Sequence, residues 1–119
     1  MDFFHGTSTA LLREIKRVGL KAPVYLGSEP IADYYAEEAV ESHGGKPVVL
    51  RISPEALNPD RLTPDHNGIE EPLTYTLGMS EDEVWEEWDD SDGTWEVSWE
   101  IIESVKYTER IPPTAIEVE

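Results

Sequence analysis

Phe3-Phe4-His5-Gly6-Thr7-Ser8 is the stretch on which the reading of this chain turns. Two aromatics lead in as a short buried strand does, and that strand delivers His5 in a chain with 3 His in all. Gly6 has no Cβ, so the backbone is expected to stand open there to a flat ligand. Thr7, Ser8 and Thr9 offer an N-cap for the apolar-periodic run Leu11, Leu12, Ile15, Val18, which stops at Gly19. The stretch therefore reads strand, His-Gly turn, helix. From spacing alone His5 is either a strand-end histidine bonded to a nearby loop or a ligand-binding group, and the segments that follow decide between them.

Outward from this start, Lys21-Ala22-Pro23 reads as a turn and Val24-Tyr25-Leu26-Gly27 as a short strand closed by Gly. Ser28-Glu29-Pro30 suits an N-cap and first helical turn. The run from Ile31 to Glu41 sets Ile31, Tyr34 or Tyr35, Ala39 and Val40 against Glu37, Glu38 and Glu41, an amphipathic helix ended by Ser42-His43-Gly44-Gly45. Val48-Val49-Leu50-Arg51-Ile52 is the most strand-like run and is expected at the sheet centre. Residues 58–79 read as a long loop around a short strand at Leu73-Thr74-Tyr75-Thr76. Ser80-Glu81-Asp82-Glu83 has the form of a capping box before Val84, Trp85 and Trp88. Thr94 to Trp99 alternates, with Trp95, Val97 and Trp99 on one face, so a strand is expected there. A second extended run from Glu103 to Thr108 places Glu103, Val105 and Tyr107 together. Ile111-Pro112-Pro113 then gives a turn before a last short strand, and Glu117 to Glu119 read as a solvated tail.

With 119 residues, 39% of them hydrophobic, and 4 Trp, the chain supports one core and a single domain over residues 1–119. The absence of Cys excludes a disulfide framework and a Cys-ligated metal, and 3 scattered His do not make a zinc site. Asp89, Asp90 and Asp92 lack the spaced oxygen ligands and terminal Glu of a calcium loop, so no metal is expected. No run approaches the ~20 apolar residues of a membrane span, and the N-terminus lacks the charge and hydropathy of a leader, so a soluble cytoplasmic protein is expected. The 26 acidic against 9 basic residues, a formal charge of −17, speak against contact with phosphate backbones over most of the surface. What remains is a solvated acidic surface, or an acidic face that imitates nucleic acid and occupies a basic protein.

Phe4-His5-Gly6-Thr7-Ser8, a helix ending at Gly19-Leu20, Val24-Tyr25-Leu26 with Ala36, Gly45-Lys46-Pro47-Val48-Val49-Leu50, and Tyr107 with Ile111-Pro112-Pro113 and Ile116 together resemble the ADP-ribosyltransferase superfamily. The likeness covers nearly the whole chain. It is nearest to the branch of diphtheria toxin and poly(ADP-ribose) polymerases, which carries His, Tyr and Glu on three core strands. The start and the Ile-Pro-Pro end are also similar to RNA 2'-phosphotransferases and DarT-like toxins. The resemblance implies an α+β fold with a split antiparallel sheet, the NAD cleft lying between the His5 strand and the Tyr25 strand-helix unit. It implies NAD as substrate, a macromolecular acceptor that is protein or nucleic acid, and a compact effector of the toxin, phage or anti-defence sort.

On this resemblance His5 holds a ribose hydroxyl, and Gly6, with Thr7 beside it, presents backbone groups to the nicotinamide carboxamide. Tyr25 and either Tyr35 or Tyr34 then sandwich the nicotinamide ring. The catalytic Glu is Glu103, with Glu100 and Glu109 as alternatives. Phe4 stands where RNA 2'-phosphotransferases place an Arg, and Arg51 alone of the arginines sits on a core strand, which speaks against 2'-phosphotransfer. An NAD glycohydrolase with water as acceptor, and a catalytically inactive acidic binder on the same fold, are the competing readings.

Overall fold

The computed structural model describes residues 2–65, 86, 88, 89 and 92–119. Among the elements these residues define, a six-stranded antiparallel sheet is flanked by three helices, an α+β architecture. In chain order these are β1 (Phe3–Ser8), α1 (Thr9–Val18), β2 (Val24–Gly27), α2 (Glu29–His43), β3 (Pro47–Ile52), β4 (Leu62–Pro64), α3 (Trp95–Ile102), β5 (Ser104–Tyr107) and β6 (Ile116–Val118). The sheet order is β4-β5-β2-β1-β3-β6. None of the helices in the described residues is long and apolar enough to cross a membrane.

The first unit forms as its sequence dictates. Ser8 caps α1, its hydroxyl accepting from the Ala10 amide at 3.1 Å, and Gly19 ends the helix with φ +83°, a conformation that disfavours a side chain. Leu20 then exchanges two 2.9 Å backbone hydrogen bonds with Ile111, so the Ile-Pro-Pro segment closes over the end of α1. α2 runs from Glu29 to His43 and stops at Gly44.

β1 pairs with β3 along its whole length, Phe3 opposite Ile52 through Ser8 opposite Pro47. This register puts Phe3, His5 and Thr7 on one face with Ile52, Leu50 and Val48, and Phe4 and Gly6 on the other. The first face carries the main core, in which Phe3, Leu26, Leu50, Ile52, Val105 and Tyr107 are buried against Ile15 of α1 and partly buried Trp95 and Trp99. Phe3 meets Trp99 edge-on at 5.0 Å between ring centroids. The second face is covered by α2, which lies so close that a Cβ on Gly6 would overlap the Ala32 carbonyl oxygen and come within 2.6 Å of the Ala36 amide nitrogen. Gly6, expected from its sequence context to stand open to a ligand, is instead covered on that side and forms the seat of α2.

Three other expectations are corrected. Residues 95–102 form α3, not a strand: the apolar positions 95, 97 and 99 suit either period, but Ile101 and Ile102 extend the run to helical length, and Ser98, Ile101 and Ile102 face inward. Within residues 58–79, read as a long loop, Pro59–Arg61 is a 3-10 turn and Leu62–Pro64 is an edge strand on β5; Pro54–Ala56, just before that segment, is a 3-10 turn of its own. Glu117 lies in β6 opposite Arg51 and is no free tail. The expected strand at Leu73–Thr76, the capping box at 80–83, and Val84 and Trp85 lie outside the described residues.

Because backbone atoms of α2 occupy the space a Cβ would need, Gly6→Ala should cost about 3 kcal/mol or more in urea unfolding. A loss below about 1 kcal/mol would show that α2 can move away from β1 without penalty.

Candidate functional site

β1 and β2 are joined by one pair, Phe4 opposite Gly27, whereas β1 and β3 share six. The sheet thus parts just past Phe4, at His5. Across this parting His5 Nδ1 lies 2.8 Å from the Tyr25 carbonyl oxygen. A carbonyl oxygen only accepts, so Nδ1 carries the proton and Nε2 keeps its lone pair. Burial pushes the imidazole below its ordinary value of 6.5, and the bond to Tyr25 opposes that only in part. His5 is thus a neutral base with a fixed tautomer.

His5 and Thr7 form one wall of a cavity of about 270 Å³ between β1 and α1. Leu11, Ile15 and Val18 supply its apolar side, and residues 19–21 close one end. Exposed Glu14 and Lys21 stand at its mouth, and a hydrogen bond from Arg17 holds the Glu14 carboxyl below the usual carboxylate range.

The remaining sequence-expected residues sit elsewhere. Tyr25 lies opposite Lys106 on β5, and alternation turns its ring to the α2 face, away from the His5 imidazole. Tyr34 and Tyr35, half-buried on α2, meet each other edge-on at 5.4 Å and pack with Ile31, Ile101 and Ile102. All three tyrosines are therefore on the α2 side of the sheet. His5 meets Tyr25 through the backbone carbonyl, and the 270 Å³ cavity is lined by none of the tyrosines.

Glu103 is not on the strand that follows it. It caps α3 in the left-handed conformation, φ 54° and ψ 36°, the one positive φ outside glycine among the described residues. Its amide donates to the Trp99 carbonyl at 2.9 Å and its carbonyl accepts from the Ser28 amide at 3.0 Å, so half-buried Glu103 sits at the β2–α2 junction. From the pairings of Phe4 with Gly27 and Gly27 with Ser104, its Cα falls roughly 12 Å from that of His5, two strands across and two residues along. Glu100 is exposed on α3, and Glu109 is exposed and ion-paired with Arg61 at 3.0 Å.

Sequence reading missed a buried polar cluster beside this turn. Asp65 is 1% exposed; Ser104 Oγ donates to its carboxylate at 2.6 Å, and its amide donates to Ser98 Oγ at 3.1 Å. Ser98 Oγ in turn donates to the Ser104 carbonyl at 2.6 Å. The three residues fasten the end of β4, α3 and β5 to one another around Glu103. Reading residues 95–102 with a helical period would have put Ser98 among the inward positions. Ser28, at the N-cap of α2, buries its hydroxyl next to the same turn, without a hydrogen-bond partner among the described residues.

A Glu at a left-handed helix terminus costs up to ~1 kcal/mol against Gly, so Glu103→Gly should raise the unfolding free energy by about 0.5–1 kcal/mol. A loss of stability would mean that the carboxylate itself holds the turn. His5 yields a pH effect of definite sign. Its folded value is lowered, so the unfolded chain binds the proton first as pH falls below 6.5, and stability drops through that window by at most ~1.4 kcal/mol per pH unit. His5→Asn, which keeps a donor for the Tyr25 carbonyl, should flatten the urea-unfolding profile between about pH 7.5 and 5.5; an unchanged slope would assign the effect to other groups. Compared with protein-family models and with curated proteins, the chain matches none.

Proposed function

We propose that this chain is an NAD-dependent ADP-ribosyltransferase, acting in the cytoplasm on a macromolecular acceptor, protein or nucleic acid, with release of nicotinamide. The observation that carries this reading is the parting of β1 from β2 at His5. At such an opening a ligand between the strands can touch groups on both sheet faces, His5 from the α1 side and Tyr25 from the α2 side. Glu103, on the far side of β2, lies within the reach of an extended dinucleotide.

In the proposed reaction the bond between ribose carbon and nicotinamide nitrogen breaks, and its electron pair leaves with nicotinamide. The acceptor nucleophile bonds to the same carbon and releases its proton. His5, neutral, accepts a ribose hydroxyl proton in a hydrogen bond at Nε2 and so orients the sugar. Tyr25 stacks on the nicotinamide ring for about 1 kcal/mol, with Tyr34 or Tyr35 closing from α2. The Glu103 carboxylate stabilises the positive charge that develops on the ribose. That Glu103 occupies a costly backbone conformation, while Glu100 and Glu109 are exposed, favours it among the three.

A second reading, a catalytically inactive acidic binder of a basic partner, draws on α2, where Glu29, Asp33, Glu37, Glu38 and Glu41 are all exposed. Calorimetry with NAD separates the two. NAD should bind at low and high salt alike, at least about tenfold more weakly in His5→Ala and Tyr25→Ala. Glu103→Gln should retain binding but lose about 10²–10³ in transfer from labelled NAD. No heat of binding in a folded protein would overturn the transferase, and hydrolysis of NAD without a labelled acceptor would assign a glycohydrolase.

A further inference from the structure

A second cavity, of about 610 Å³, opens where β1 begins and β3 ends, and the proposed NAD reading leaves it unused. It falls within the size range of ligand sites. Its walls include Phe3, Leu57 and Leu62, all largely buried, and the half-buried indole of Trp95. Its rim is charged and unbalanced. Arg51 is the one basic residue among the described residues of the lining and is held by Asp2 at 3.3 Å. Glu117, its cross-strand neighbour, and Glu55, on the 3-10 turn after β3, add two carboxylates. Neither has an ion-pair partner among the described residues, and both are exposed. Three carboxylates against one guanidinium, beside an indole, make a site for a group with an apolar stem and a positive end.

We propose that this cavity receives an arginine side chain of a basic protein partner. An aromatic face next to carboxylates suits a guanidinium, which is planar, weakly hydrated and stacks on indole, better than a strongly hydrated ammonium. The volume exceeds one side chain and leaves room for the flanking peptide. The formal charge of −17 draws a basic partner to the protein and turns nucleic acid away. The site does not depend on NAD: Phe3 and His5 project from the same face of β1 two residues apart, but each lines its own cavity.

Cations adhere to any protein this acidic, so the test must locate the binding. The probe is N-acetyl-arginine methylamide, titrated into the 15N-labelled protein while the Trp95 indole N–H signal is followed. The neutral isostere N-acetyl-citrulline methylamide serves as control. Saturable shifts at Trp95 are expected with arginine and not with citrulline. Glu55→Gln with Glu117→Gln, both at exposed positions, should weaken binding about tenfold. Glu37→Gln with Glu38→Gln, the same charge change on exposed α2, should weaken it less than about twofold. Equal losses from the two pairs, equal binding of citrulline, or no saturation at Trp95 would each overturn the proposal.

Discussion

The structure depends on how near α2 can come to β1. A strand and a helix approach this closely only where the strand lacks a side chain and the helix presents small ones. Gly6 meets that condition against Ala32 and Ala36, one helical turn apart. With α2 seated, the α2 side of the sheet needs little else: Ile31, Tyr34 and Tyr35 fill the space toward α3 and join Ile101 and Ile102. The opposite face is left to the larger residues, Leu, Ile and Phe packed around Ile15 and the Trp95 and Trp99 rings. A single absent Cβ thus divides the protein into a thin, close-packed layer and a thick, aromatic one.

The same division arranges the candidate site. Residues that alternate along β1 cannot share a face, so the neighbour of the glycine that seats α2 must point to the other side, and that neighbour is His5. Its imidazole lies among apolar groups of the α1 layer, which is why it is held neutral. The loss of ladder between β1 and β2 gives the ring a backbone carbonyl to bond. Orientation, tautomer and protonation state of His5 all follow from one strand alternation and one gap in the sheet.

Much of this was legible in the sequence, wherever local chemistry decides structure. Ser8, Gly19 and Gly44 end or begin helices because side-chain capping and positive φ are local requirements, and those boundaries fall within a residue of where composition puts them. The run Val48 to Ile52 forms a strand as its apolar residues suggest, but it lies beside the edge strand β6 and not at the sheet centre, and it is buried at Leu50 and Ile52 on one face while Arg51 is exposed on the other. What was hidden depends on tertiary placement. Trp95, Val97 and Trp99 fit two periods, and the burial of Ser98 against Asp65 and Ser104, together with that of Ile101 and Ile102, goes with the helix. That choice moves Glu103 from a strand to a helix terminus. Gly6 was legible as a special position but its purpose was not, since a missing side chain admits a ligand and a helix equally well. Asp65 gives no signal in a chain with 26 acidic residues.

The single rung between β1 and β2 also bears on how the chain can fold. It divides the sheet into two three-stranded leaves, β6-β3-β1 and β2-β5-β4. Four of the five steps between successive strands of this set pass from one leaf to the other, and only β4 to β5 stays within one. Each leaf therefore mixes early and late chain, and neither can be completed by a nascent N-terminal fragment. Loop closure over long separations must precede most strand pairing, which is the condition for slow folding. A sheet nearly divided in space is thus bound into one unit by the path of its own backbone, and the seam at His5 can be weak because the chain repeatedly crosses it.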